Sequence, residues 1–132
     1  PQKKIVFINK HEDLSEMQSA DILLILPEQL ENYISVSKNV SVAFNAHSFT
    51  EMDFSVTEDY LKLFVKMNPK FILSFNHELQ YEYKIGSKTK RHSSLLDKNI
   101  ESILKNHYGL ISRFPEILQG DSYWEYLWMK KD

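Results

Sequence analysis

Residues 40–78 read VSVAFNAHSFTEMDFSVTEDYLKLFVKMNPKFILSFNHE, and the order of strand, polar cluster, helix, strand and polar cluster in that stretch decides the fold class. Val40 to Phe44 (VSVAF) is a short β-branched and aromatic run that ends at Asn45, which is the pattern of a strand. Ser55 followed three residues later by Glu58 is a capping box, and Val56, Tyr60, Leu63, Phe64 and Met67 then recur at helical spacing until Asn68 and Pro69 stop the helix. Phe71 to Phe75 (FILSF) is a second strand, and it runs straight into Asn76, His77 and Glu78. Two strands joined by one helix of this length form a βαβ unit, so the strands lie parallel and their polar C-terminal ends fall side by side.

The same logic extends outward. Lys4 to Asn9 (KIVFIN) is an N-terminal strand, followed by a polar turn containing His11, Glu12 and Asp13. Ile22 to Leu26 (ILLIL) is an unbroken apolar run closed by Pro27, the pattern of a strand buried on both faces. Pro27 then opens a short helix, PEQLENYI, which leads into the polar turn SVSKN. Beyond Glu78, Gln80 to His92 is polar, basic and without period, and reads as a surface loop. A helix from Ser94 to about Asn106 places Leu96, Ile100, Ile103 and Leu104 on one face. Leu110 to Phe114 and Tyr123 to Met129 close the chain as two strands joined through Gly120, the last with apolar and aromatic residues on both faces. The expected architecture is one α/β domain over residues 1–132, mostly parallel, with helices on both faces of its sheet and a C-terminal antiparallel hairpin.

Composition bounds the partners. The chain has 132 residues, 42% of them hydrophobic and 26% charged, the profile of a folded globular domain. Sixteen Lys and Arg against eighteen Asp and Glu leave a net charge of −2, which gives nucleic acid or anionic lipid no long-range attraction. There is no cysteine, so disulfides, thiolate metal sites and a Cys nucleophile are excluded and a cytoplasmic location is expected. No apolar run reaches the roughly 18 residues of a membrane helix. The three glycines, Gly86, Gly109 and Gly120, stand far apart, so no glycine-rich turn lets a backbone approach a nucleotide. The chain begins at Pro1 without an initiator Met, which is expected of a piece of a longer polypeptide.

The chemistry-bearing residues concentrate after the two central strands: Asn45, His47, Ser48 and Glu51 after the first, Asn76, His77 and Glu78 after the second. In α/β folds this edge is where ligands bind. His47 is the best general base, since imidazole titrates near neutral pH and Glu51 could fix its tautomer. The bland alternative is that His47 and Ser48 merely cap a turn while Glu51 faces solvent, and that Asn76 to Glu78 is ordinary turn chemistry. Metal-binding spacing such as two His at i and i+4 is missing, so no metal is expected. Ser48 is no hydrolase nucleophile, because His47 and Phe49 flank it where a glycine elbow is needed. Tyr123, Trp124, Tyr126 and Trp128 could stack on carbohydrate, but at strand spacing half must enter the core. Lys84, Lys88, Lys90 and Arg91 could touch an anionic substrate, though a solvated loop is the commoner meaning.

The runs ILLILPEQLENY, VSVAFNAHSFTEMDFSVTEDYLKLF and FILSFNHE resemble the C-terminal half of class I S-adenosylmethionine-dependent methyltransferases, in particular the sugar O-methyltransferase group. The most specific piece is NAHSFTEM, Asn45 to Met52, similar to that group's strand-end motif; past Glu78 the likeness rests on topology alone. The resemblance implies a Rossmann-like methyltransferase-type sheet ending in an antiparallel hairpin, and methyl transfer from S-adenosylmethionine to a sugar hydroxyl. It makes His47 and Glu51 catalytic, has Asn45, Ser48, Asn76, His77 and Glu78 line the acceptor site, and places Pro27, Glu28 and Gln29 near the adenine. The family's glycine-rich loop and ribose-holding acid have no counterpart here, so the chain is expected to be the C-terminal part of a larger methyltransferase domain. Its partners would be a small-molecule or sugar acceptor and the missing N-terminal half or a second copy, with no nucleic acid and no membrane. The alternative is a non-catalytic binding or assembly module on the same scaffold.

Overall fold

Residues 42–46 and 71–77 pair as parallel neighbours, as a strand, helix, strand sequence of this length requires. They belong to a computed structural model that describes residues 2–8, 19–25, 27–34, 40–78, 81–92, 100–115 and 123–132. The chain divides into two compact units, 1–39 and 40–132. His11, Glu12, Asp13, Leu26, the SVSKN turn, Ser94, Leu96 and Gly120 lie outside the described residues, as do the side chains of Pro27 and Glu28.

In the first unit, β1 (Ile5–Ile8) and β2 (Ile22–Ile25) run parallel, with Ile5 opposite Ile22 and Ile8 opposite Ile25. Helix α1 (Pro27–Tyr33) follows, started by a proline whose missing N–H costs nothing at a first helical position. Val6, Ile8 and Tyr33 are buried together, with Ala20, Leu23 and Ile25 against them. Asp21 pins the start of the ladder: its carboxylate accepts the Lys4 N–H at 2.8 Å and the Lys3 ammonium at 3.2 Å. Those two donors, the backbone one first, hold its pKa below the usual carboxylate value. The apolar run 22–25 is not buried on both faces as expected; Ile22 and Leu24, like Ile5 and Phe7, are exposed. Among the described residues, one face of this two-stranded sheet is covered and the other is exposed.

The second unit is built on a four-stranded sheet in the order β3, β4, β8, β7, made of Val42–Ala46, Phe71–His77, Tyr123–Lys130 and Tyr108–Pro115. β3 and β4 are parallel, whereas β4 with β8 and β7 with β8 are antiparallel. The sheet is therefore mixed rather than mostly parallel. The terminal hairpin is present, but its last strand inserts between β4 and β7, so one reversed strand makes two antiparallel ladders. A register shift between Leu110 and Ser112 marks a bulge in β7.

Helix α2 (Phe54–Met67) joins β3 to β4, and α3 (Ile100–Leu104) precedes β7. Its N-cap is Asp53, so Ser55 lies inside the first turn and does not cap it. The buried residues are Thr57, Leu61 and Phe64; of the expected stripe Phe64 is buried, Tyr60, Leu63 and Met67 are half-buried, and Val56 is exposed. Thr57 enters the core because its hydroxyl has a buried acceptor, donating to the Phe49 carbonyl at 3.1 Å. Asn68 adopts the left-handed conformation (φ 55°), donates to the Phe64 and Val65 carbonyls, and ends the helix before Pro69. Leu61 and Phe64 of α2 and Ile100 and Leu104 of α3 pack on Ala43, Ile72, Tyr126 and Trp128. Among the described residues these helices cover one face of the sheet, not both, and Val42 and Phe44 on the other face are 49% and 60% exposed.

Residues 81–92 are not a loop. Tyr81–Ile85 (β5) and Lys88–His92 (β6) form an antiparallel hairpin turned at Gly86, whose φ of 59° a residue with a Cβ rarely adopts. The sequence signal is confined to β5, where Tyr81, Tyr83 and Ile85 alternate with Glu82 and Lys84; β6, KTKRH, has no apolar position to match it.

Candidate functional site

At the C-terminal ends of β3 and β4 the pleat sorts the polar residues onto two faces. Ser74 and Asn76 point with Ile72 into the core and are fully buried. The Asn76 amide donates to Asn45 Oδ1 at 2.9 Å and to Ser74 Oγ at 2.8 Å, and its Oδ1 accepts the Phe49 N–H at 3.1 Å. Asn45 Nδ2 donates in turn to Ser48 Oγ at 2.5 Å. These bonds fold the chain after β3 into a tight turn, closed by the Glu51 and Met52 N–H groups on the Ser48 carbonyl. The network is satisfied from within, as buried amides must be.

His47 sits on that turn in the left-handed region, at φ 58°, a conformation few non-glycine residues hold. Its own N–H donates to the Phe75 carbonyl at 2.8 Å, continuing the β4 ladder past the end of β3 and keeping the strained residue in place. Strain held in this way is typical of functional sites. The imidazole packs on the sheet face away from the helices, 4.9 Å from the Phe75 ring and 4.5 Å from the Tyr123 ring. Tyr123 lies opposite His77 in the β4–β8 ladder, stacks on Phe75 at 5.5 Å and meets the His77 ring at 3.6 Å. Two imidazoles thus flank one phenol ring.

Glu78 is held elsewhere. Its carboxylate accepts Arg113 Nε at 2.6 Å, a second bond from the same guanidinium and the Tyr126 hydroxyl. Arg113 lies over the Trp124 ring at 4.1 Å, and the Glu78 carboxylate raises its pKa above the ordinary guanidinium value. The two are a bidentate clamp joining the end of β4 to β7.

The structure therefore brings Asn45, His47, Ser48, Asn76, His77 and Glu78 to one end of the four-stranded sheet, but in separate roles. Asn45, Ser48 and Asn76 form the buried network, His47 and His77 share the ring cluster, and Glu78 belongs to the clamp. Glu51 is exposed, and among the described residues no carboxylate hydrogen-bonds the His47 ring. Gln29 is partly buried on α1, in the other unit. Among the described residues no three His, Asp or Glu side chains gather as a metal site, and no helix is long and apolar enough to cross a membrane. Sequence reasoning missed Arg113, and it singled out Tyr123 for stacking without placing it beside the two histidines. Nothing in the spacing marks their placement, because each is brought in by strand register: Tyr123 opposite His77, Arg113 opposite Tyr126.

No protein-family model matches the sequence, and no curated protein matches it. Solved structures do match its fold. One is the 1,6-didemethyltoxoflavin-N1-methyltransferase of Burkholderia thailandensis, solved with 1,6-didemethyltoxoflavin and S-adenosylhomocysteine bound. It superposes with a TM-score of 0.52 at 10% identity, over 97% of this chain and 61% of its own. A protein of Pyrococcus horikoshii OT3 superposes at 0.54 and 7% identity, over 98% of this chain and 72% of its own. The chain thus has a fold of the class I methyltransferase type, and it spans about three fifths of the length of the toxoflavin enzyme.

Proposed function

We propose that this chain is the acceptor-side, C-terminal part of an S-adenosylmethionine-dependent O-methyltransferase domain, acting in the cytoplasm on a hydroxyl of a small molecule, with a sugar as the acceptor class. The observation that carries the reading is His47: a strained imidazole held at the C-terminal end of a parallel strand, in a sheet whose reversed last strand inserts next to the neighbouring one. The bare apolar faces, with Phe44 and Val42 on one sheet and Phe7 and Ile5 on the other, support the larger domain, because exposed faces of that kind are normally covered.

The cofactor does not find its whole cradle in this chain. Its glycines at 86, 109 and 120 are separate, and none of the described ones lies beside His47 in the sequence or opens a helix. S-adenosylmethionine would supply an electrophilic methyl group; the residues that grip it belong to the upstream part. What this chain contributes is the acceptor side. His47 takes the hydroxyl proton through an imidazole nitrogen, which makes the oxygen nucleophilic as transfer begins. The Ser48 hydroxyl accepts from Asn45 and keeps its own hydrogen for the acceptor. Asn76 holds the turn so that His47 has one position, which is what an oriented in-line approach requires.

Titration calorimetry of S-adenosylmethionine and S-adenosylhomocysteine into this chain and into the longest native polypeptide containing it tests the reading. Binding by the longer chain alone is the expected result. Binding by neither leaves a methyltransferase scaffold used as a binding or assembly module.

A further inference from the structure

The β5–β6 hairpin follows the candidate site directly and has a charge the rest of the chain lacks. Residues 81–92 carry Lys84, Lys88, Lys90 and Arg91 against the single acid Glu82, a net of +3 with His92 neutral, whereas the whole chain is −2, so the other residues carry −5. Such concentration on a body of opposite sign makes a local positive field and not a diffuse one. The register separates the charges further. Glu82 lies opposite Arg91, an opposite-charge cross-strand pair, while Lys84 faces Thr89, Lys88 faces Ile85 and Lys90 faces Tyr83. Lys84, Lys88 and Lys90 are exposed, and among the described residues none of the three has an ion-pair partner.

Connectivity fixes where this arm is anchored. Tyr81 is three residues after Glu78, so its Cα lies within about 11 Å of the end of β4, the reach of an extended chain. At a rise of about 3.3 Å per residue, Lys90 stands roughly 7 Å from the base of the hairpin and Lys88 roughly 13 Å. That is the length scale of a sugar with one or two phosphate groups, not of a long polymer tract.

We infer that the β5–β6 hairpin is the specificity arm of the acceptor site and that it recognises a phosphate group on the small molecule whose hydroxyl lies against His47. The inference rests on the acceptor-site reading given above. Lysines suit this task because each is a compact charge with three donors on a flexible stem, able to follow a phosphate in more than one pose. The fixed bidentate geometry is used elsewhere, by Arg113 on Glu78.

The test uses the longest native polypeptide containing the chain, titrated at low and at 0.2 M salt with glucose 6-phosphate, pyrophosphate and, as the neutral control, glucose. Phosphate probes are expected to bind at least about tenfold more tightly than glucose and to weaken with salt, as charge-assisted contacts do. Lys88→Glu with Lys90→Glu should remove that advantage, and Lys88→Gln with Lys90→Gln about half of it on a logarithmic scale; both pairs are exposed, so the fold tolerates them. Equal affinity for glucose and glucose 6-phosphate, no binding of either phosphate probe, or phosphate affinity unchanged in both variants overturns the inference. So does tighter, variant-sensitive binding of a 12-nucleotide single strand than of pyrophosphate. S-adenosylhomocysteine titrated in parallel separates the two readings: its binding without a phosphate preference removes the arm alone, and a phosphate preference without its binding removes the methyltransferase.

Discussion

The two faces of the four-stranded sheet handle polar residues in opposite ways. On the helix-covered face, Asn45, Ser74 and Asn76 bond one another and the Phe49 backbone. On the opposite face, at the same end, His47 and His77 meet Tyr123 and Phe75 through ring contacts, and the His47 imidazole is not tied to a carboxylate. The first arrangement is held by directional hydrogen bonds, and the second by the packing of rings. A buried network holds the turn, and the turn carries His47.

Substitutions can break that division. The largest effect is expected for His47→Ala, which should lower methyl-transfer turnover by about two to four orders of magnitude while leaving the thermal midpoint nearly unchanged; turnover at the parental level would take His47 out of the mechanism. Asn76→Ala should do the reverse. It strands the buried Phe49 N–H and the Asn45 carbonyl oxygen, and urea unfolding should record a loss of about 3 kcal/mol, since each unsatisfied buried group costs about 1–3 kcal/mol.

A smaller effect belongs to Tyr108, buried on the covered face, whose hydroxyl donates to the Pro69 carbonyl at 2.9 Å. Burial raises its pKa above the ordinary 10.0. The folded chain therefore holds the proton more tightly than the unfolded one, so this contribution is complete below pH 10 and is lost as pH climbs toward the raised value. Tyr108→Phe should cost about 1 kcal/mol at neutral pH, and it should flatten the alkaline fall in stability measured by chemical denaturation.

The smallest effect is expected on the bare face. Phe44→Ser should change the stability of this chain by no more than about 0.5 kcal/mol, as an exposed substitution does. In the longest native polypeptide the same change should cost several times more if an upstream segment covers Phe44. Equal small losses in both would count against a larger domain.

Residues 40–78 made the βαβ unit legible, because helix and strand periods differ and because Asn68 and Pro69 mark the helix end unambiguously. The gathering of polar residues at one sheet end, the candidate site, was legible for the same reason: they follow two strands that must be neighbours. The hairpin at 81–92 was not, since the alternation of Tyr81, Tyr83 and Ile85 with Glu82 and Lys84 has no counterpart in the polar, basic second strand. Nor was the place of Thr57, which enters the core with its hydroxyl bonded to the Phe49 carbonyl.

By itself, then, the sequence determined the order of elements outside the 81–92 hairpin and the edge of the sheet where polar residues gather, because periodicity and punctuation are local properties. Tertiary structure alone decided which polar residue does what. Strand pairing set Tyr123 against His77 and Arg113 against Tyr126, and the pleat sent Asn76 inward and His77 outward. Those assignments depend on register between residues 13 and 46 positions apart, and no local pattern carries register.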